Sequence, residues 1–312
     1  MATRMVAPPL EDPPDMTPGD TPLVELASLA PTGTRLFAKL EWHNPTGSIK
    51  DRAAWFMFQN ARRSGELSPG MPMIESTSGN TGIGLARLAL INGHPMTICL
   101  PANSTPERKQ LLRAYGAELV EVDGGPNESI EMAKTLVAAG EGHMCYQYGN
   151  PGNPEAHEFG TSLEIVRDWP LEHPPEHVFC AYGTGGTLTG VSRGLRKSYP
   201  SIRVHSVEEF VHDPISGMRS QADPFQPPVA DFALVTDRHE VTKAEAAEMV
   251  QTTMATEGHF IGTSSGAILH AAVDHLTRHG GRAVAVLPDA GWKYLSGAPW
   301  AELAAPAACT AD

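Results

Sequence analysis

A lysine follows directly after a turn sequence at residues 44–52, which read Asn-Pro-Thr-Gly-Ser-Ile-Lys-Asp-Arg. Ser48 can cap a helix, and residues 53–62 contain no proline or glycine, so the pattern predicts a helix that begins near Lys50. A cation in the first turn of a helix is disfavoured by the helix dipole, and burial lowers the pKa of a lysine further. The sequence therefore predicts an amine that loses its proton easily enough to act as a nucleophile.

Three loops rich in glycine, serine and threonine share one design, in which the end of a strand leads through the loop into a helix. They are residues 76–82, 183–187 and 262–266. Such loops place backbone N–H groups at a helix N-terminus, where they bind anions. One loop of this kind is a common connection, and Lys50 alone could be an ordinary surface lysine. Three such loops in one chain favour a ligand with several separate anionic groups, bound at the ends of parallel strands.

Other ligands of glycine-rich loops fit this chain less well. The nucleotide pattern GxxxxGK[ST] needs a lysine where the chain has Val191, and the dinucleotide pattern GxGxxG needs a glycine where it has Leu188. The sequence contains no HExxH motif, and its thirteen histidines show no metal-binding spacing, so we predict no metal ligand. A reactive lysine with a separate phosphate-binding loop is typical of a protein that binds pyridoxal phosphate as a Schiff base.

The composition is that of a globular protein of two domains. Of 312 residues, 41% are hydrophobic and 19% are charged, and the net charge of −13 disfavours binding to nucleic acid or to an anionic membrane. The four cysteines lie far apart and favour reduced thiols. No apolar run is long enough to span a membrane, and the N-terminus lacks the apolar core of a signal peptide. We therefore expect a soluble cytoplasmic protein.

Strands and helices alternate along most of the chain, which predicts βα units and parallel sheets. The predicted strands are 23–29, 36–40, 73–75, 96–100, 118–122, 178–182, 203–208 and 283–287. The predicted helices after the first are 83–91, 107–115, 130–139, 157–169, 188–197, 243–257 and 267–279. The turn-rich segment 146–154 is a plausible domain crossing. The long proline-rich segment 211–229 is expected to be functional or mobile.

Together, the lysine turn and the three loops resemble the cysteine synthase family, and the resemblance runs from about residue 21 to residue 296. It implies the fold of fold-type-II pyridoxal-phosphate enzymes, similar to the tryptophan synthase β chain. This is an α/β fold of two domains, each with a mostly parallel sheet flanked by helices. The implied parts are a mobile arm (1–20), a larger domain that binds the cofactor phosphate (21–45 plus 150–300), a smaller mobile domain that carries Lys50 and the substrate carboxylate loop (46–149), and a tail (301–312).

The resemblance also implies a role for each motif residue. Lys50 forms the Schiff base, Asn80 hydrogen-bonds the 3′-oxygen of the cofactor, and Ser264 meets its pyridine nitrogen. The cofactor phosphate is held by Gly183, Thr184, Gly185, Gly186 and Thr187. The α-carboxylate of the substrate is bound by Thr77, Ser78, Thr81 and Gln147.

The implied chemistry is β-replacement that yields L-cysteine. Substrate binding frees Lys50 to act as a general base on Cα. A neutral serine at the pyridine nitrogen leaves that nitrogen largely unprotonated, which favours expulsion of a β-leaving group. The resulting α-aminoacrylate accepts a sulfur nucleophile at Cβ. A dehydratase fits less well, because such relatives usually carry an all-glycine phosphate loop.

Two segments, 216–220 and 288–296, resemble the branch of the family that uses O-phosphoserine and a thiocarboxylated sulfur-carrier protein. In that branch, Arg219 is the expected ligand of the phosphate leaving group, because a guanidinium matches phosphate geometry. Gly186 departs from the branch, which often has threonine there, and matches enzymes that use O-acetylserine and sulfide. The donor therefore stays open, as does a different nucleophile such as an amine or homocysteine. The resemblance also implies a homodimer.

Overall fold

The structure is a computed structural model that describes residues 17–77 and 79–296. Most of the expected N-terminal arm, Ser78, Cys309 and the expected tail lie outside the described residues. The described chain forms two sheets, which are mostly parallel and flanked by helices. The predicted α/β fold class is confirmed, whereas the boundaries of the two domains stay a prediction.

The larger sheet has six strands in the order β1-β2-β10-β7-β8-β9, and only β1 runs antiparallel to its neighbour. Its strands are β1 (Leu23–Glu25), β2 (Arg35–Leu40), β7 (His177–Ala181), β8 (Arg203–Glu209), β9 (Asp237–Val241) and β10 (Arg282–Leu287). The central strands β7 and β10 are apolar throughout most of their length, as expected of parallel strands covered on both faces.

The smaller sheet has four parallel strands in the order β5-β4-β3-β6. They are β3 (Met73–Ser76), β4 (Met96–Pro101), β5 (Glu118–Val122) and β6 (His143–Met144). All four come from one continuous stretch of chain, and the six strands of the larger sheet come from before and after it.

Nine α-helices cover these sheets in the described residues. They are α1 (Lys50–Ser64), α2 (Asn80–Asn92), α3 (Pro106–Ala114), α4 (Pro126–Ala138), α5 (Gly152–Ala156), α6 (Ser162–Asp168), α7 (Gly186–Ser198), α8 (Lys243–Glu257) and α9 (Thr263–His279). The buried faces of α1 and α2 pack together in one apolar core with β3 and β4. None of the described helices combines the length and apolar character needed to cross a lipid bilayer.

Most predicted elements are present with ends shifted by a few residues, and several differ further. The predicted helix 157–169 begins with a π-helical turn over His157–Thr161 and ends at Asp168. The loop 262–266 follows no strand of either sheet, since Ile261 makes only an isolated bridge to Ala290. The first strand is three residues long rather than seven.

The sequence pattern also did not predict the short helix α5 or the two strands β6 and β9. β6 has only two residues, which is too short for a periodic signal. β9 lies at the edge of the larger sheet and has the sequence Asp-Arg-His-Glu-Val, which offers a single apolar residue. Pairing with β8 therefore decides the conformation of this segment against its own composition.

The two sheets are joined beside Lys50 by a buried ion network centred on Arg52. Arg52 lies on α1 and donates to Glu41, which follows β2, and to Glu164 on α6. Lys39 on β2 also lies 2.8 Å from Glu164. Because Arg52 stands two residues after Lys50, this network fixes the start of α1 against the larger sheet.

Candidate functional site

A cleft of about 630 Å³ opens between the two sheets, at the ends of the strands from which the loops 76–82 and 183–187 emerge. A smaller cavity of about 50 Å³ adjoins it and shares Lys50, Asn80 and Gly183 with it. The predicted residues on the large cleft are Lys50, Thr77, Asn80, Thr81, Gln147, Gly183, Thr184 and Arg219. Thr187 and Ser264 line the smaller cavity. Ser78 lies outside the described residues.

Lys50 is the first residue of α1, and it lines both cavities. Ile49 rather than Ser48 occupies the cap position, although Ser48 Oγ accepts a hydrogen bond from Lys50 N at 3.3 Å. Loss of contact with water lowers the pKa of Lys50 to about 8, against the opposing effect of the Asp289 carboxylate. The sequence-based expectation of an easily deprotonated lysine agrees with this environment, and desolvation is its main cause.

The loop after β3 is tied to a distant residue of the chain. Thr81 donates from Oγ1 to Gln147 Oε1 at 2.7 Å, and Gln147 Nε2 donates to the Ser76 carbonyl at 3.2 Å. Thr77 Oγ1 accepts from the backbone N–H of Gly79. The structure therefore brings together the hydroxyls of Thr77 and Thr81 with the amide of Gln147, a set of groups that can bind a carboxylate.

The loop 183–187 leads from β7 into α7, whose first turn begins at Gly186. Gly185 has a φ of +82°, which is the left-handed region that favours glycine, and a Cβ there would overlap Ala230. A Cβ on Gly186 would overlap the side chain of Asn153. Gly185 and Gly186 do not line either cavity. They shape a turn that leaves the first backbone N–H groups of α7 without intrahelical partners.

Two hydroxyls flank this turn. Thr184 Oγ1 accepts from Asn153 Nδ2 at 3.0 Å, and Thr187 Oγ1 lies 3.3 Å from His157 Nε2. Burial lowers the pKa of His157 well below its usual value, with Lys50 and Arg52 acting in the same direction, so this imidazole is neutral. The Gly186 N–H donates weakly to Thr184 Oγ1 at 3.4 Å. The N-terminus of α7 and these two hydroxyls form a donor set that fits a phosphate group.

Ser264 is the second residue of α9 and is buried beside the smaller cavity. Its hydroxyl has no hydrogen-bond partner among the described residues. It therefore remains available to a ligand atom, such as the ring nitrogen expected from the sequence. The lysine amine, the phosphate-type turn and this serine together fit pyridoxal phosphate.

Sequence reasoning missed two buried charges that hold Asn80. Lys293 Nζ donates to Asn80 Oδ1 at 2.8 Å, and Asn80 Nδ2 donates to Asp289 Oδ2 at 2.7 Å. Asp289 is 1% exposed, and its Oδ1 has no partner in the described structure. Burial lowers the pKa of Lys293, although Asp289 and Asp51 oppose the shift. Both residues belong to the segment 288–296, whose sequence indicates only a resemblance to the O-phosphoserine branch of the family.

Two guanidinium groups face the part of the cleft near residues 214–219. Arg219 lies over the rings of Tyr148 and Phe225, at 5.4 and 5.2 Å from their centroids, and forms a 3.1 Å ion pair with Asp223. Arg108 on α3 donates to Ser216 Oγ at 2.9 Å and lies over the ring of Tyr294. Arg219 was predicted and Arg108 was not, because an arginine inside a helix pattern gives no signal of its own.

Comparison with known proteins agrees with this geometry. A family model described as pyridoxal-phosphate dependent enzyme matches residues 15–289. Cysteine synthase B of Salmonella typhimurium is 37% identical over 287 residues, which cover 90% of this chain and 94% of that protein. Cysteine synthase B of Pseudomonas aeruginosa is 38% identical, with 89% and 94% covered.

Solved structures of related enzymes are also similar to this chain. An O-ureido-L-serine synthase superposes with a TM-score of 0.88 at 32% identity, covering 94% of this chain and 96% of that one. The cysteine synthase of Entamoeba histolytica superposes with a TM-score of 0.86 at 30% identity, covering 98% and 96%. The likeness therefore extends over almost the whole length of each chain.

Proposed function

Because the chain belongs to the family of pyridoxal-phosphate dependent enzymes, we propose that it catalyses β-replacement on an activated serine to form L-cysteine. Its cofactor is pyridoxal phosphate, and its fold is that of fold-type-II enzymes of this family. The observation that carries the proposal is that Lys50, the carboxylate-type loop and the phosphate-type turn line one cleft, although they come from distant parts of the chain.

Each part of the cleft has a task in this reaction. Lys50 would hold the cofactor covalently, the turn 183–187 its phosphate, Asn80 its 3′-oxygen and Ser264 its pyridine nitrogen. When bound, the cofactor withdraws electrons from the substrate Cα, which permits loss of a proton and then of the β-substituent. The start of α9 beside Ser264 disfavours a positive charge, and hence protonation, at the ring nitrogen.

Lys50 is also the residue that would move the proton. Once the substrate has displaced it from the cofactor, its amine can take the proton from Cα, and a pKa of about 8 suits a base that works near neutral pH. Thr77, Thr81 and Gln147 would hold the α-carboxylate, with Ser78 as a further proposed ligand. This grip fixes the direction of the Cα–H bond relative to Lys50.

For the leaving group, the structure supports O-phosphoserine as the donor. Arg219 and Arg108 bring two cations to one side of the cleft, where a phosphate would face them. Asp223 pairs with Arg219 in this structure and would have to share it with the phosphate. Burial raises the pKa of the nearby Glu209 to about 7, so part of its negative charge is removed at neutral pH.

A second candidate is β-replacement with a nucleophile other than sulfide, such as an amine or homocysteine. A specific observation favours it: a solved relative that superposes with a TM-score of 0.88 is an O-ureido-L-serine synthase. This relative shares the fold over nearly its whole length, so the scaffold itself does not dictate the nucleophile.

The experiment is a donor comparison with the cofactor-loaded enzyme. O-phosphoserine and O-acetylserine are added separately without a nucleophile, and the visible absorbance of the bound cofactor is followed. Sulfide, homocysteine or an amine is then added, and the product is identified by mass spectrometry. We expect O-phosphoserine to change the spectrum at a lower concentration than O-acetylserine does. After sulfide is added, we expect L-cysteine as the product. No response to either serine derivative would contradict β-replacement.

Arg219→Ala tests the donor assignment separately. Loss of charge-assisted hydrogen bonds should raise KM for O-phosphoserine by at least about tenfold and leave O-acetylserine nearly unchanged. Arg193→Ala, which removes an exposed arginine of α7 paired with Asp231, is the matched control. An equal loss with both donors would remove Arg219 from this role.

The remaining expectations on partners also belong to the proposal. The substrate is an amino acid, and a thiocarboxylated carrier protein is proposed as one sulfur source. A homodimer and a cytoplasmic location are proposed from the family resemblance. Light scattering of the purified enzyme tests the dimer directly.

A further inference from the structure

Histidines from four separate elements meet near the end of the larger sheet that is opposite the cleft. His177, His205 and His239 lie on the adjacent strands β7, β8 and β9. His177 Nδ1 lies 2.9 Å from His205 Nε2, and His205 Nδ1 lies 2.9 Å from His239 Nε2. His275 of α9 packs over them, with ring centroids 4.6 Å from His177 and 4.5 Å from His205.

This cluster is distant from the cleft. His177 is the first residue of β7, whereas the loop 183–187 leaves the opposite end of the same strand. Six residues of extended chain span roughly 20 Å at about 3.3 Å per residue. The cluster therefore cannot serve the reaction in the cleft by direct contact, and nothing in the proposed function uses it.

His275 has a feature that calls for a ligand. Its residue is 8% exposed, and its Nε2 is buried without a hydrogen-bond partner in the described structure. A buried polar atom without a partner costs about 1–3 kcal/mol. Ring nitrogens of His177, His205 and His275, one from each, lie within 4.8 Å of one another. His275 therefore belongs to a group of three possible ligands.

The spacing of these rings is close to that of imidazoles around one metal ion. Zinc binds histidine nitrogen at about 2.0–2.1 Å, so tetrahedral ligands lie about 3.4 Å apart. The His177–His205 contact of 2.9 Å would open by about half an ångström. Contacts as long as 4.8 Å would close by a little more than one ångström, which side-chain rotation can supply.

The surroundings also suit a cation. The Asp237 carboxylate lies 3.8 Å from His205 Nδ1 and supplies a negative charge, which Arg203 partly offsets by an ion pair at 2.8 Å. The exposed His279 contacts His275, with ring centroids 4.6 Å apart and the planes tilted by 39°.

We propose that His177, His205 and His275 form a binding site for one divalent cation of the zinc type. The cation would take the place of the proton between His177 Nδ1 and His205 Nε2, and the ring that had donated this proton would carry one on its other nitrogen instead, so both ligands stay neutral and no net proton is released. His275 would contribute its unpartnered nitrogen. A water molecule would complete the tetrahedron. The site would join the C-terminal part of α9 to the first residues of β7 and β8. It would stabilise the fold without taking part in the reaction.

This site was invisible to the search for metal-binding spacing along the sequence. Its three members are far apart in the chain: His205 follows His177 by 28 residues, and His275 follows His205 by 70 residues. Short motifs such as HExxH depend on ligands from one helix, whereas this trio depends on strand register and helix packing. The expectation of no metal ligand therefore concerned spacing alone.

The test uses the cofactor-loaded enzyme, stripped of metal with a chelator and then dialysed. Titration with ZnCl₂ should show one zinc ion bound per chain and a rise in the thermal midpoint. X-ray absorption should show nitrogen ligands at about 2.0–2.1 Å. His275→Ala should weaken zinc binding by at least about tenfold and abolish the rise in midpoint. This variant leaves the hydrogen bonds among His177, His205 and His239 in place.

His270→Ala is the matched control, because His270 lies on the same helix outside the cluster. It should bind zinc as the wild-type enzyme does. Equal zinc affinity of the wild-type enzyme and the His275→Ala variant would overturn the proposal, as would the absence of zinc binding by the wild-type enzyme. Both results are independent of the donor comparison, because zinc content is measured without substrate.

Discussion

At the scale of single residues, the environment of Lys50 decides what the cleft can do. The amine lies at the start of a helix and has lost most of its contact with water, and both effects favour the uncharged form. The Asp289 carboxylate opposes them. The balance gives a pKa of about 8, compared with 10.5 for an ordinary lysine. Such an amine can attack an aldehyde near neutral pH.

This balance predicts the pH dependence of cofactor uptake. The cofactor-free enzyme should bind added pyridoxal phosphate faster as pH rises, because only the unprotonated amine reacts. The rate should reach half of its maximum near pH 8 and then level off. Stopped-flow absorbance between pH 6 and 11 measures it. A midpoint near 10.5 would show that Lys50 is not desolvated.

Asn80 illustrates how two unpredicted residues orient a predicted one. Lys293 can only donate, so the Asn80 oxygen turns towards it and the Asn80 amide nitrogen towards Asp289. The second hydrogen of that amide then remains for the cofactor oxygen. The motif identifies Asn80, but only the fold reveals the two charges that set its direction.

At the scale of elements, the turn before α7 shows why glycine is needed in the phosphate loop. Gly185 combines a positive φ with close packing against Ala230. Gly65, at the end of α1, has almost the same φ of +81°, but nothing lies within 4 Å of the position its Cβ would take. An alanine at Gly65 would therefore add backbone strain only, whereas an alanine at Gly185 would add the same strain and also displace the loop.

Gly185→Ala should therefore weaken cofactor binding, whereas Gly65→Ala should not. The Gly65 variant should lose only about 1–2 kcal/mol of unfolding free energy, the cost of a left-handed alanine. The Gly185 variant should lose more and should also bind pyridoxal phosphate at least tenfold more weakly, because Ala230 pushes the turn away. Urea denaturation and cofactor titration measure the two quantities. Equal cofactor affinity in both variants would contradict this role of the turn.

The elements also show where sequence reasoning works and where it stops. β5 and α8 were predicted with their observed ends, because a short apolar stretch in Glu-Leu-Val-Glu-Val and a capping box with Thr242 and Glu245 are local signals. β9 and the π-helical turn depend on neighbours, namely β8 and the packing of this turn against α7. Close approach of Gly190 and Gly194 to that turn is such a long-range cause.

At the scale of the whole molecule, the Arg52 network connects the sheets around the cleft. Burial alone would raise the pKa of Glu164, but its hydrogen bonds and attraction to Arg52 and Lys39 lower it to about 2. The ordinary value is 4.5, so folding favours the charged carboxylate. This stabilisation is fully present above pH 4.5 and is lost as pH falls towards 2.

Glu164→Gln should thus destabilise the enzyme at neutral pH by about 3 kcal/mol, as expected for breaking a buried ion pair. The difference from wild type should narrow below pH 4.5, because the Glu164 carboxylate of the unfolded wild-type chain then takes up a proton while the folded one, with a pKa of about 2, stays charged. Urea unfolding at pH 7 and pH 3.5 measures both values. Glu131→Gln, which breaks an exposed pair with Lys134, should cost less than about 1 kcal/mol. A difference that stays constant with pH would contradict the role of the charge.

Contacts between distant parts of the molecule limit how much of the site the sequence could predict. Motif residues could be assigned because their loops are contiguous in the chain. Arg108 lines the cleft, Asp289 lines the smaller cavity and Lys293 bonds Asn80, each through contacts between distant segments. The histidine cluster forms through strand register and helix packing. Pairings of this kind carry no local pattern, so they become visible only in the folded chain.

The most direct test of the central claim is to identify the lysine that holds the cofactor. Two lysines, Lys50 and Lys293, lie near Asn80, and we assign the covalent bond to Lys50 alone. The loaded enzyme is reduced with borohydride, digested and mapped by mass spectrometry. We predict that the pyridoxyl group is found on the peptide that contains Lys50. Modification of Lys293 instead, or of neither residue, would contradict the account.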